Sequence, residues 1–150
     1  MISLLRTDAS NADFIELVRQ LDAYLAITDG EDHQFYNQYN QLQTIRHVVV
    51  VYDDDRPIGC DAIKAFSDEA MEVKRMFVRP EDRHRGIASQ VLQELEHWAR
   101  ELGYRKTILE TGRRMPDAIA FYRKQQYTEV PNYGQYIGVT NSICFEKVLG

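Results

Sequence analysis

The chain has 150 residues, 44% hydrophobic and 27% charged, with 18 basic residues against 23 acidic ones, a net charge of −5 and a pI near 5.4. Such a length fits one domain that buries roughly 70% of the surface its unfolded form exposes, and the composition excludes disordered and fibrous classes. An acidic balance argues against a nucleic-acid partner, which calls for a broadly basic face. No apolar run approaches the ~20 residues of a membrane helix and Met1 to Arg6 lacks a signal-peptide pattern, so no membrane partner is expected and the location is read as cytoplasmic.

Ile2 to Leu5 reads as a first strand. Apolar residues at Phe14, Leu17, Val18, Leu21, Tyr24 and Leu25 recur at helical spacing, which predicts an amphipathic helix over 10–26 with Asp8 or Ser10 as its N-cap. The polar and aromatic stretch 31–42 is read as a second, short helix. His47 to Tyr52 is a continuous β-branched run, Asp53 to Pro57 a turn and Ile58 to Phe66 a further strand, so 47–66 reads as a hairpin. A strand is expected over 71–78 and a helix over 86–102, its apolar stripe running from Ile87 to Leu102 with Gly103 as cap. A short buried strand follows at 106–111. Pro116 opens a helix that extends towards Gln125, and two last strands, 127–130 and 142–148, flank the loop 131–136.

This order predicts an α+β fold with one mixed central β-sheet flanked by helices and a β-α-β core whose strands, 71–78 and 106–111, pair in parallel. Cys60 and Cys144 lie in apolar, strand-like surroundings and are read as small buried hydrophobes. No metal is expected, because the two cysteines and His33, His47, His84 and His97 show no metal-ligand spacing. Strand edges left exposed would allow a homodimer.

The most informative segment is 71–88. It reads as a strand, a basic turn and a helix start, and residues 74–85 carry five basic residues against two acidic ones in an otherwise acidic chain. A helix opening at Gly86 leaves its first N–H groups without intrahelical partners and turns the positive end of its dipole towards whatever sits there, so the expected guest is a phosphate. Neither the phosphate loop of nucleotide hydrolases nor a dinucleotide fingerprint occurs.

Arg83-His84-Arg85-Gly86-Ile87-Ala88 fits R-x-x-G-x-A after a strand ending in Val78-Arg79-Pro80. With Glu72 before it and Ala118-Ile119-Ala120-Phe121-Tyr122 beyond it, the pattern resembles the GNAT superfamily of acyl-CoA-dependent N-acetyltransferases, over about residues 47–130. The resemblance implies acetyl-CoA as co-substrate, with its pyrophosphate held by N–H groups of the turn, so that Arg83, His84, Arg85, Gly86, Ile87 and Ala88 form the cradle. It implies that backbone at Phe77 and Val78 pairs with the pantetheine arm and that the Val78 N–H polarises the thioester carbonyl. The Asn often found seven residues before the family's tyrosine is Met115, and the usual Gly-aromatic pair after it is Gln126-Tyr127. A pantetheine contact from an Asn side chain therefore does not carry over.

An amine acceptor arrives mostly as ammonium, so a carboxylate must accept a proton, directly or through water. Glu72, fourteen positions before Gly86, stands where some family members carry a glutamate base; the other reading is a solvated or lysine-paired strand carboxylate. Strand alternation puts Glu72, Lys74, Met76 and Val78 on one face and Val73, Arg75 and Phe77 on the other. Tyr122 matches the tyrosine that protonates the departing thiolate, against the reading of an amphipathic helix-end tyrosine. Glu110 is a candidate for recognising an ammonium, or for capping a strand end. Tyr36, Tyr39, Tyr133 and Tyr136 are candidates for an acceptor wall or for local packing, and Lys74, Arg75 and Arg79 for the CoA 3′-phosphate or for solvent. The function expected is acetyl transfer from acetyl-CoA to a primary amine, small-molecule or peptide, by direct attack in a ternary complex. The alternative is a non-catalytic acyl-CoA-binding regulatory module.

Overall fold

The computed structural model describes residues 1–29 and 45–150. The expected helix over 31–42, with Tyr36 and Tyr39, lies outside the described residues. Seven strands, β1 (Ile2–Thr7), β2 (His47–Asp53), β3 (Arg56–Ala65), β4 (Ala70–Val78), β5 (Lys106–Gly112), β6 (Thr128–Val130) and β7 (Ser142–Val148), form one sheet in the order β1-β2-β3-β4-β5-β7-β6. The described α-helices are α1 (Ala12–Asp29), α2 (Ile87–Glu101) and α3 (Pro116–Lys124). Every strand pair is antiparallel except β4 with β5, the predicted parallel pair.

The four valines of β2 show why that run could be continuous. Val48 and Val50 pack with Phe14, Leu17, Val18 and Leu21 of α1, whereas Val49 and Val51 pack with Val91, Leu92 and Leu95 of α2. A strand covered on both faces has no polar side to alternate with. α3 joins α2 on the second face through Ala118, Ile119 and Tyr122.

The cap of α1 differs from expectation. Asn11 stands immediately before the first helical residue, and its side-chain oxygen accepts the Phe14 N–H at 2.9 Å. Asp8 instead accepts from the Ser10 N–H and hydroxyl, closing a turn one step upstream. Only the residue next to the helix brings its oxygen within reach of the orphan N–H groups of the first turn.

The alternation expected along β4 fails at one residue. Cys60 pairs with Phe77 and Ala62 with Lys74, so Asp61 faces two residues, Arg75 and Met76, across a bulge at which Arg75 takes φ 68°. Past the bulge the faces exchange. Val73 and Val78 share the α2 face, whereas Phe77 turns to the α1 face, and the pleat of Glu72 and Lys74 is carried on by Phe77, not by Met76 and Val78.

Candidate active site

β4 and β5 pair only from Ala70 to Glu72 against Lys106 to Ile108. Beyond that β5 continues alongside β7 as far as Gly112, and β4 runs on, among the described strands, beside β3 alone, so the sheet opens between them. In the opening lies a cavity of about 170 Å³ lined by β4 residues 72–76, β5 residues 110–112, Leu21 of α1, Met115, Ala118 and Tyr122 around α3, and Tyr136.

The open edge of β4 presents backbone. Arg79 N–H donates to the Ile58 carbonyl at 2.9 Å on β3, and since successive residues of a strand point their N–H groups to opposite sides, the Val78 N–H points away from β3 into the gap. Arg83 Nε donates to the Val78 carbonyl at 3.0 Å, and the guanidinium lies 6.0 Å from the Phe77 ring centroid. Strand end and turn are thereby tied together.

The turn itself is built from left-handed backbone. After the 3₁₀ turn Pro80–Asp82, His84 takes φ 66° and Gly86 φ 76°, and α2 begins at Ile87 with no side chain capping it. The N–H groups that open α2 meet no side-chain cap, which suits them to an anion. A Cβ on Gly86 would meet nothing within 4 Å. Glycine is therefore needed here for its φ and not for room, and the space over the turn is open. Arg85 is held by Asp82 (2.7 Å) and Asp53 (3.0 Å), and Asp82 also accepts from Arg56 (2.9 Å). These ion pairs shape the turn from below and leave anion contact to the backbone. The imidazole of His84 is not what the turn requires; its positive φ is.

Glu72 is neither solvated nor isolated. It is 5% exposed, its Oε2 accepts the Tyr133 hydroxyl at 2.5 Å and its Oε1 lies 3.5 Å from Lys74 Nζ. Glu72, Lys74 and Arg75 all line the cavity, and Lys74 and Arg75 are buried, so neither faces solvent. Arg75 pairs with Asp22 of α1. Burial pulls the Lys74 ammonium below the usual lysine range, against the opposing pull of Glu72. On β5, Glu110 accepts the Ser142 hydroxyl at 2.7 Å.

Tyr122 is 7% exposed and lines the same cavity, its ring edge-on to Phe121 and Tyr127 at 5.1 and 5.8 Å between centroids. Burial first, and then the charges of Asp61 and Glu110, push its hydroxyl well above the ordinary tyrosine range. It therefore stays protonated and able to donate. Tyr133 and Tyr136 stack edge-on at 5.7 Å, and both are likewise pushed up, chiefly by burial. Of the expected site residues, Glu72, Glu110, Tyr122, Tyr133 and Tyr136 are thus brought around one opening, and the cradle 83–88 stands at the far end of β4. Sequence reasoning missed Leu21, Thr111 and Met115, and misplaced Lys74. A lysine in a strand flanked by buried residues was the one signal that could have found it.

The family model for the Acetyltransferase (GNAT) domain matches residues 44–129, the stretch that contains this split strand pair, the turn and α3. The chain belongs to the GNAT acetyltransferases. This acyltransferase is 31% identical to an IAA acetyltransferase of Azospirillum brasilense over 137 residues, 90% of each chain. It also superposes, with a TM-score of 0.84 and 26% identity, on a Klebsiella pneumoniae crystal structure with a provisional acyl-CoA N-acyltransferase assignment, covering 100% of this chain and 99% of that one. A GNAT acetyltransferase of Elizabethkingia anophelis, crystallised with acetyl-CoA bound, shares the fold at a TM-score of 0.72 and 18% identity over 98% of this chain and 97% of that one. The chain's own residues fit such a co-substrate: an uncapped helix start for a pyrophosphate, a stretch of β4 that β5 does not pair for an extended arm and a half-open cavity for an acyl group. Among the described residues no cluster of three or more His, Cys, Asp or Glu is arranged to hold a metal, and no helix is long and apolar enough to cross a membrane.

Proposed function

We propose that residues 1–150 act as one N-acetyltransferase domain that moves the acetyl group of acetyl-CoA directly onto a primary amine, without an acyl-enzyme. The observation that carries the reading is the opening between β4 and β5, where one cavity is lined by a buried carboxylate and a buried tyrosine, and the β4 edge that leads out of it carries an outward N–H at Val78. The N–H groups of residues 83–88 hold the pyrophosphate, and the edge of β4 at Phe77 and Val78 holds the arm. The Val78 N–H receives the charge that develops on the carbonyl oxygen. Glu72, reached directly or through water, takes the proton of the acceptor ammonium. Tyr122 gives its proton to the departing thiolate. Glu110, Tyr133 and Tyr136 form the acceptor side, where the Glu110 carboxylate favours a cationic amine over an acidic one.

Calorimetry with CoA and a screen of amines, amino acids, polyamines and peptides for CoA release test this. Tyr122→Phe should lower kcat by about 10²-fold or more with CoA affinity unchanged. An undiminished kcat removes Tyr122 from its role, and wild-type protein that binds CoA yet releases none with any amine returns the chain to the non-catalytic module.

A further inference from the structure

The cavity that receives the acyl group in the proposed reaction already contains an amine. Lys74 is the one lysine among its described lining residues, 8% exposed as a residue, and its Nζ lies 3.5 Å from Glu72 Oε1, the carboxylate assigned to take a proton from an incoming ammonium. Strand alternation ahead of the bulge at Arg75 puts both groups on one pleat, two residues apart on the α1 face and beside the gap. At about 170 Å³ the cavity is close in size to one that takes a single benzene-sized guest.

We infer that Lys74 is itself an acetyl acceptor, so that the chain acetylates its own cavity lysine when acetyl-CoA is bound and no external amine is present. The inference rests on the acetyl-transfer reading above and adds a modification site to it. In the step, Glu72 takes one proton from the Lys74 ammonium. The Nζ lone pair forms the N–C bond to the thioester carbonyl carbon as the C–S bond breaks. Tyr122 gives its hydroxyl proton to the departing thiolate and regains one from the acylated nitrogen, and Glu72 releases its proton to solvent. Ammonium and thioester become amide, thiol and one proton, with no redox partner required. Burial already disfavours the charged form of Lys74, which eases the first transfer. The product removes the Lys74–Glu72 ion pair, leaves Glu72 with Tyr133 and places an amide where an acceptor would enter.

The test is peptide-mapping mass spectrometry of the full chain after incubation with acetyl-CoA alone. The expected result is one acetyl group per chain at Lys74, saturable in acetyl-CoA and suppressed by excess CoA, with exposed Lys124 modified at least tenfold more slowly. Glu72→Gln should slow acetylation of Lys74 tenfold or more while calorimetry gives an unchanged CoA dissociation constant. A second readout needs no thioester: trace labelling with acetic anhydride should find Lys74 shielded by CoA and Lys124 not. The wild-type map assigns the site without any variant having to fold. Binding of CoA without modification of Lys74, or modification no faster than at Lys124, overturns this inference alone. Absence of CoA binding overturns the acetyl-transfer reading and this one with it.

Discussion

Tyr122 and Gln126 sit four residues apart at the end of α3, one in a favourable setting and the other in a strained one. The hydroxyl of Tyr122 is kept protonated by burial, the state that a proton donor to a thiolate needs. Gln126, at the position where the family usually has glycine, takes φ 74°, and through this turn Tyr127 N–H returns to the Tyr122 carbonyl at 3.0 Å. A left-handed conformation costs an L-residue about 1–2 kcal/mol, and glycine gives back roughly 0.5–1 kcal/mol of that in chain entropy. Gln126→Gly should therefore stabilise the protein by about 0.5 kcal/mol, a rise of roughly 1–2 °C in Tm, read by thermal denaturation with kcat unchanged. The departure was visible in the sequence as Gln126-Tyr127; that glutamine would adopt the glycine conformation was not, because the constraint comes from the packing of Tyr127 on Tyr122 and its bonds to Thr107 and Glu96.

The elements were legible wherever a pattern is local. The stripe of α2, Pro116 at the start of α3 and the valines of β2 follow from spacing and chain stiffness alone. What stayed hidden depends on a partner strand. The bulge at Arg75 arises because Asp61 faces two residues across the β3–β4 ladder, and it reverses the face of Met76, Phe77 and Val78 relative to simple alternation. Lys74 was misread for the same reason, since its burial is decided by the parting of β4 from β5. The turn before α2 was legible through its glycine, and it allows a sharp test. Gly86→Ala meets no neighbour but must hold φ 76°. Stability should fall by about 1 kcal/mol, and CoA affinity by roughly fivefold if the turn relaxes by about that energy. Urea titration and calorimetry measure the two effects, and unchanged CoA affinity would take the turn out of the binding site.

Across the whole molecule, a chain of ion pairs ties the basic turn to the first half of the sheet. Asp82, with a side chain 3% exposed, lies between Arg56 and Arg85, Arg85 reaches on to Asp53, and Arg6 bridges β1 to Glu94 and Glu101 of α2. Their guanidinium partners hold Asp82, Asp53 and Glu101 below the usual carboxylate range. Because the folded values lie below the unfolded ones, this stabilisation is complete above the unfolded carboxylate values and is lost as pH falls through the folded ones. The urea midpoint should hold steady above about pH 5 and decline from about pH 4 downwards. Asp82→Asn should flatten that decline, and a slope identical to wild type would exclude the pairs as its source.

The parting of β4 from β5 has a mechanical meaning as well. Four strands on one side and three on the other are joined through one short run of parallel pairing at the closed end, so the sheet is notched like a split beam at the point where the ligand is proposed to lie. An extended guest that bonds along β4 beyond its pairing with β5 acts as a wedge and a splice together. It fills the notch and adds hydrogen bonds across it. Occupancy is then linked to folding itself, and the protein's cohesion depends in part on the supply of the molecule it consumes.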